Sequence, residues 1–396
     1  MDDTSPRRRS PSGPASLAVV AVLLAVADLA AQWNIDGNRR IDYRIYVRAV
    51  SPIDGAGLYD YGTGILRFTY PPVAAVLIWP FTWLDEAVGS RVWLALSVVA
   101  FVIAYALAIH HAGGTRPVPP TVALVGGAAA LWLVPAISTL RLGQVNAFVA
   151  LLLCVDSVAI CRRSRWSGLG IGLAAAIKVT PLAVLPVLWV GLRRHDRVVA
   201  RRAAMTFVAV TGATAAVAPG ATWDFVQRLG GRAVTRAAST SVDLRVLLRS
   251  VIDARSVADT VWLAATVVLV AAALRTAARL GHSDRPDGVG LVTVGMCLST
   301  VVSPFSSVHH LTFATVALAL WAARSTSLWQ RAVALAGLLA LLDPTAGEGA
   351  PGRWAMVAFC IVTVVALPSI AAAPIDPDFV ETDRIPQDVS LLQGGH

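Results

Sequence analysis

The chain has 396 residues, 56% of them hydrophobic and only 14% charged, with a formal net charge of +9. A soluble domain of this length carries nearer a quarter charged residues, so the composition excludes an ordinary soluble protein and predicts an all-α polytopic membrane protein. Nucleic acid is excluded as well, because the positive charge falls in short clusters between apolar runs (7–9, 162–165, 193–202, 275–285), as cytoplasmic loops do.

In chain order, a basic leader (1–15) precedes an apolar stretch at 16–33. Alone this pair resembles a secretory signal; the many apolar segments behind it make it an uncleaved first span with a cytoplasmic N-terminus. At about 17–25 residues per crossing, further segments fall near 71–84, 91–111, 119–138, 145–161, 168–191, 203–218, 257–274, 287–302, 308–323, 329–343 and 353–370. The expectation is therefore roughly 11–13 transmembrane segments within a single membrane domain, 16–373. Two polar breaks are long, 34–70 and 219–256, and the tail 374–396 is polar and expected to be disordered in the cytoplasm. The N-terminus being inside puts both long breaks and 303–310 outside, and the basic loops inside.

Two basic clusters, 162–165 and 193–202, are separated by only about 25 apolar residues. A broken pair of short helices meeting at "IKVTP" (177–181) reconciles them, since Pro181 cannot continue a helix. A second hairpin, placed at 71–84 around Pro80, restores the parity of crossings. Cys154, Cys297 and Cys360 lie inside apolar segments and Cys161 at the end of one, with no metal-binding spacing.

This topology brings four polar groups toward the outer side: Asp42 in "NRRIDYRIY", Gln144 and Asn146 in "RLGQVN", Lys178, and "SPFSSVHH" (303–310). Ionisable groups at membrane depth are costly and therefore functional candidates. Each has a plainer reading too. Lys178 can snorkel to a headgroup, His309 and His310 can cap a helix or meet a carbonyl, and Gln144 and Asn146 can join helices. Asp28 and Asp156, without polar company in the sequence, read as packing residues. Adjacent histidines point about 100° apart on a helix and make a poor metal site. No HExxH, DxD or Gly-rich phosphate loop is present, so no metal, cofactor or nucleotide-sugar donor is expected. A substrate that resides in the membrane and carries its own leaving group is expected instead.

"IDYRIY", "LYDY", "FTYPP", "LGQVN", "GLAAAIKVTP" and "SPFSSVHH" occur in this order over roughly residues 30–325. The ordered set resembles the polyprenyl-phosphate-mannose-dependent α-(1→2)-mannosyltransferases of actinobacteria, glycosyltransferase family 87 of the GT-C superfamily. The resemblance implies a GT-C fold with a large first extracytoplasmic loop, and a multi-pass protein of the cell membrane whose site faces outward. It also implies Asp42 as catalytic base, with Lys178, His309 and His310 at the family's lysine and paired histidines. Two departures stand out: Ser307 and Val308 replace a tryptophan common before the histidines, and "SVDLRVLLR" (241–249) lacks an expected asparagine.

The implied reaction converts a β-linked mannosyl phospholipid into an α-linked product by one inverting displacement, needing one base and no acid, because lipid phosphate leaves unprotonated. From position alone Asp54 and Asp60 rival Asp42 as that base. Lys178, Arg44, Arg245, Arg249 and the histidines are candidates to stabilise the departing phosphate. Tyr43, Tyr46 and Tyr70 read either as sugar-stacking rings or as interfacial anchors. Gln144, Asn146 and Ser303 complete the expected substrate contacts. The expected partners are a polyprenyl-phosphate-linked sugar donor, a lipid-anchored glycan acceptor such as a phosphatidylinositol mannoside or lipomannan, and membrane lipids. A polyprenyl-phosphoarabinose-dependent arabinofuranosyltransferase of the same fold is the alternative donor reading. A lipid-linked sugar flippase or transporter is the non-enzymatic one, and the lack of internal repeats argues against it.

Overall fold

In the computed structural model, which describes residues 12–33, 40–51, 57–60, 67–114, 116–231, 242–281, 285–304, 306–343 and 350–369, every apolar run of the sequence is helical. The chain begins with α1 (Ser12–Trp33), the short α2 (Ile41–Val50) and α3 (Val73–Ile78), which tightens into a 3-10 turn at Trp79–Trp83. Then come α4 (Glu86–Ala112), α5 (Pro120–Ala129), α6 (Val134–Leu142), α7 (Asn146–Cys161), α8 (Leu169–Ile177) and α9 (Val184–Gly191). The second half holds α10 (Val198–Val217), α11 (Pro219–Gly231), α12 (Leu244–Val251), α13 (Arg255–Leu280) and α14 (Gly288–Val302). It closes with α15 (Thr312–Arg324), α16 (Leu328–Leu342) and α17 (Ala350–Ala366).

α14 is the axis of the bundle. A helix apolar all round belongs inside, and α14 is buried without interruption from Gly288 to Val301, packed by α7, α9, α13, α15 and α17. Its N-terminus is fastened by Asp287, which accepts the Gly290 N–H at 2.9 Å. Asp287 also takes a two-pronged ion pair from Arg324 at the end of α15, at 2.7 and 3.0 Å. The same guanidinium donates to the carbonyls of Ala112, at the end of α4, and Pro368, beyond α17. Gly288 sits against Ser157 and Ile160 of α7, and Gly191 against Ala277, Gly281 and Leu291. One pole of the bundle therefore gathers the ends of α4, α7, α9, α13, α15 and α17, and with them the arginine clusters that follow α7 and α9.

The broken pair expected at 177–181 is present. α8 ends at Lys178, whose backbone is extended (φ −146°, ψ 123°), and Pro181 enters the 3-10 turn Thr180–Ala183, where it needs no N–H. Both outer ends of the pair lie at the basic pole: Arg202 donates to the Ser167 carbonyl at 2.7 Å, and Gly191 meets α13. Asp156 accepts the N–H groups of Gly168 and Ile171, both at 2.7 Å, and so caps the start of α8.

The hairpin expected at 71–84 is absent. Pro80 falls at the first turn of the 3-10 segment, where the missing N–H costs nothing, so Val73–Trp83 continues as one short helix. Its start follows Tyr70 and its end precedes Glu86, and the exposed rings of Trp79 and Trp83 pack edge to face at 4.9 Å. The break the sequence reading missed lies at Leu133, between Pro120–Trp132 and α6, a bend of 66°. The second long break, 219–256, is not open loop either: it holds α11, bent 120° from α10, then α12 and the start of α13. Helices α1, α4 and α13 are long and apolar enough to cross a membrane, five spans if each bent pair counts as one. Further apolar helices have 10–17 residues, shorter than the full-length spans expected.

Candidate active site

The pole opposite the arginine clusters collects the residues the sequence singled out, and short-range geometry explains how. α2 is amphipathic, so Asp42 and Tyr46, four residues apart, share one face. α6 stops at Gly143, which adopts the left-handed conformation (φ +71°) with α2 directly above: a Cβ there would lie 2.7 Å from the Tyr43 Cβ. That turn delivers Gln144 beneath α2 and starts α7 at Asn146.

Gln144 is buried, and its amide is fully directed. The Tyr46 hydroxyl donates to Oε1 at 2.9 Å and the Tyr70 hydroxyl donates to the same oxygen, while Nε2 donates to Asp42 Oδ2 at 2.5 Å. Burial pushes both phenols well above the ordinary tyrosine range, so they remain donors. The rings do not present open faces for stacking on sugar: Tyr46 packs edge-on against Phe68 and Tyr70, and Tyr43 is enclosed by Phe81 and Trp93.

A second set of contacts runs alongside. Lys178, only 8% exposed, donates from Nζ to Asn146 Oδ1 at 2.5 Å and stands 5.5 Å from the centre of the Tyr70 ring. Asn146 Nδ2 in turn donates to the His309 carbonyl at 2.5 Å, which Thr139 also reaches at 3.3 Å. Asp42 acts electrostatically on Lys178, and Lys178 on His309. Burial first, and the Lys178 charge second, push the His309 imidazole down to about 3, so this ring is neutral at ordinary pH. A narrow cavity of about 20 Å³ lies between Asn146, Lys178, Thr180, Thr300 and His310.

Asp42, Tyr46, Tyr70, Gln144, Asn146, Lys178 and His309 are thus one assembly, drawn from α2, the 67–72 segment, the α6–α7 turn, the α8 break and the turn before α15. His310 lines the cavity beside Lys178, and its Nδ1 also accepts the Ser307 N–H at 3.2 Å as half of a capping box. Others on the same expectation have partners elsewhere. Ser303 ends α14, its N–H on the Ser299 carbonyl. Arg44 pairs with Glu86 at 2.7 Å. Arg245 and Arg249 both converge on Asp259, at 2.9 and 2.6 Å, which joins α12 to α13 and leaves the trio one net positive charge. Of the rival carboxylates, Asp60 is paired with Arg228 and Asp54 lies outside the described residues. Thr139 and Glu86 were missed by the sequence reading; neither stands out locally, since Thr139 sits in an apolar run and Glu86 opens a long helix. Among the described residues no three His, Cys, Asp or Glu side chains gather as metal ligands.

Residues 68–304 match the sequence profile of glycosyltransferase family 87. The match takes in Tyr70, Gln144, Asn146 and Lys178 and stops short of Asp42 and His309. A polyprenol-phosphate-mannose-dependent alpha-(1-2)-phosphatidylinositol pentamannoside mannosyltransferase of Mycobacterium tuberculosis (strain CDC 1551 / Oshkosh) is 29% identical over 320 residues, 76% of this chain and 72% of that protein. A polyprenol-phosphate-mannose-dependent alpha-(1-2)-phosphatidylinositol mannoside mannosyltransferase of Mycolicibacterium smegmatis (strain ATCC 700084 / mc(2)155) is 28% identical over 415 residues, 92% of this chain and 93% of its own. One of the same description from Mycobacterium tuberculosis (strain ATCC 25618 / H37Rv) is 35% identical over 187 residues, 42% of this chain and 43% of its own.

Proposed function

The chain belongs to glycosyltransferase family 87, and from that premise we propose that it transfers mannose from polyprenyl-phosphate-mannose to a phosphatidylinositol-mannoside-type acceptor, forming an α-(1→2) linkage with inversion. The observation that carries this reading is the electrostatic coupling of Asp42, held by Gln144, to the buried Lys178, held by Asn146; burial pushes this amine down from the usual lysine range and the Asp42 charge favours its ammonium form. A base within electrostatic reach of a lysine suits a single displacement. The acceptor oxygen bonds to the anomeric carbon as the bond from that carbon to the phosphate oxygen breaks. Asp42 receives the hydroxyl proton, and the polyprenyl phosphate leaves as an anion opposite Lys178. The neutral His309 adds no further positive charge; its carbonyl fixes Asn146, which orients the lysine.

The relatives named above, all described as polyprenol-phosphate-mannose-dependent, favour mannose over arabinose as the donor sugar. A lipid-linked substrate agrees with the apolar cavity of about 460 Å³ between α4, α5, α15 and α16, which is lined by residues such as Ala108, Leu133, Val316 and Leu338. The arginine clusters that follow α7 and α9 support a cytoplasmic far pole, with the assembly around Asp42 facing outward. If the bent pairs and the shorter apolar helices α7 and α14 to α17 cross as well as α1, α4 and α13, with α8–α9 re-entrant, the passages agree with both ends of the domain lying inside.

The test is Asp42→Asn, assayed in membranes with labelled polyprenyl-phosphate-mannose and a phosphatidylinositol mannoside acceptor. Loss of the base lowers the rate roughly 10²–10⁴-fold at unchanged protein level. Normal turnover overturns the reading.

A further inference from the structure

Gln144 was expected to touch substrate or to join helices. Its contacts describe something narrower. The side chain is buried, its carbonyl oxygen is held by the phenols of Tyr46 and Tyr70, and those two hydroxyls stand 3.2 Å apart. The opposite orientation would set the amide oxygen against the Asp42 carboxylate, two acceptors with no proton between them, whereas both phenols can donate to the oxygen as placed. Its nitrogen is therefore fixed toward Asp42 Oδ2. The Gly143 turn beneath Tyr43 sets the height at which this amide meets α2.

On this geometry, and resting on the reading of Asp42 as the base, we infer that Gln144 is a positioning residue for that base: the two tyrosines lock the amide, and the amide fixes the plane of the Asp42 carboxylate. Tyr46 and Tyr70 thereby belong to the catalytic apparatus as the clamp on Gln144. The titratable groups seen to interact with Asp42 include Tyr46 on its own helix, Tyr70 from the 67–72 segment, Lys178 from the α8 break and, through Lys178, His309 from the turn before α15. A carboxylate introduced at position 144, in hydrogen-bond contact with Asp42, has a predictable effect.

Gln144→Glu keeps the shape but replaces the fixed NH2 by a second carboxylate oxygen at hydrogen-bond distance from Asp42. Two carboxylates so close share one proton, which raises the pH at which the base becomes available. Transfer at pH 7 should fall, and the acid limb of the pH–kcat profile should move upward by a unit or more, with activity recovering toward pH 9. Gln144→Met, which abolishes the hydrogen bonds at similar volume, should lower kcat by about 10- to 100-fold with the KM of both substrates within twofold. The double variant Tyr46→Phe/Tyr70→Phe should fall in the same direction while Gln144 is intact.

A limb that stays in place in Gln144→Glu, or a change confined to KM, overturns the inference and returns Gln144 to a substrate contact. If all three proteins misfold, which size-exclusion in detergent reports, Gln144→Asn supplies the readout: its shorter amide keeps the chemistry and should still lower kcat with an unmoved limb, whereas wild-type kcat there refutes the clamp. The two levels separate cleanly. Asp42→Asn inactive with an unmoved limb in Gln144→Glu refutes positioning alone, while an active Asp42→Asn refutes the base and the positioning together.

Discussion

Replacing Lys178 by methionine removes one charge and little volume, and the structure gives the size of the effect. The ammonium is buried and donates to Asn146 Oδ1. Its loss leaves that amide oxygen short of a partner, about 1–3 kcal/mol, against which stands the relief of no longer burying a cation. The two roughly offset, so the variant should fold and accumulate like the wild type. The rate should not survive so well. A preorganised donor aimed at developing negative charge is worth about 2.7–4 kcal/mol, or 10²–10³ in kcat. Lys178 is the amine that the broken α8–α9 pair brings within electrostatic reach of Asp42. The assay is transfer of labelled mannose by purified protein in detergent or nanodiscs, with kcat and both KM values determined. Size-exclusion and thermal unfolding serve as fold controls. A kcat within twofold of wild type in a well-folded Lys178→Met protein refutes the role of this cation and leaves it a structural partner of Asn146.

Arg324→Met strands Asp287 in the core and should cost about 3–5 kcal/mol, seen as a lower melting temperature in detergent; because the pair lies at the pole away from Asp42, kcat of the folded fraction should hold, and an unchanged Tm refutes the staple. Gly143→Ala forces a side chain into the left-handed region against Tyr43 and should cost about 1–3 kcal/mol, with a drop in kcat larger than the loss of folded protein; wild-type kcat would separate the α6–α7 turn from the site. The neutral His309 ring predicts a pH–rate profile without an imidazole limb near 6.5, unchanged in shape in His309→Gln. Its folded-state value being depressed, it costs no stability above pH 6.5, and the unfolded chain gains from proton uptake as pH falls from there toward about 3. A limb near 6.5 that His309→Gln abolishes would contradict this.

The helices were legible in the sequence because in a lipid-facing chain apolar length alone nearly dictates helix. The break at Lys178 was legible too, since two arginine clusters forced a re-entrant path and Pro181 marked the place. Prolines misled where their position within a turn mattered. Pro80 looked like a breaker yet sits at a first turn, while the bend at Leu133 was hidden in a run that reads as one span although Pro135 follows. The candidate residues stood out because polar groups in apolar company are conspicuous. Their roles were less visible. Gln144 is explained only by Tyr46 and Tyr70, which lie 98 and 74 positions away in the chain. Arg245 and Arg249 looked available because their partner, Asp259, is the lone carboxylate in the following apolar helix.

The re-entrant pair has a consequence for how the reactants must arrive. At 1.5 Å per residue, α7 rises about 22 Å from its arginine-rich end at Cys161 to Asn146, the residue that Lys178 holds. The hydrocarbon layer is about 30 Å deep. On the proposed orientation Lys178 therefore lies several ångströms inside the outer edge of that layer, with α2 toward the water. On the proposed function, a carrier phosphate would meet Lys178 just below its neighbouring headgroups, arriving sideways from the lipid, while the acceptor sugar would come from the water above.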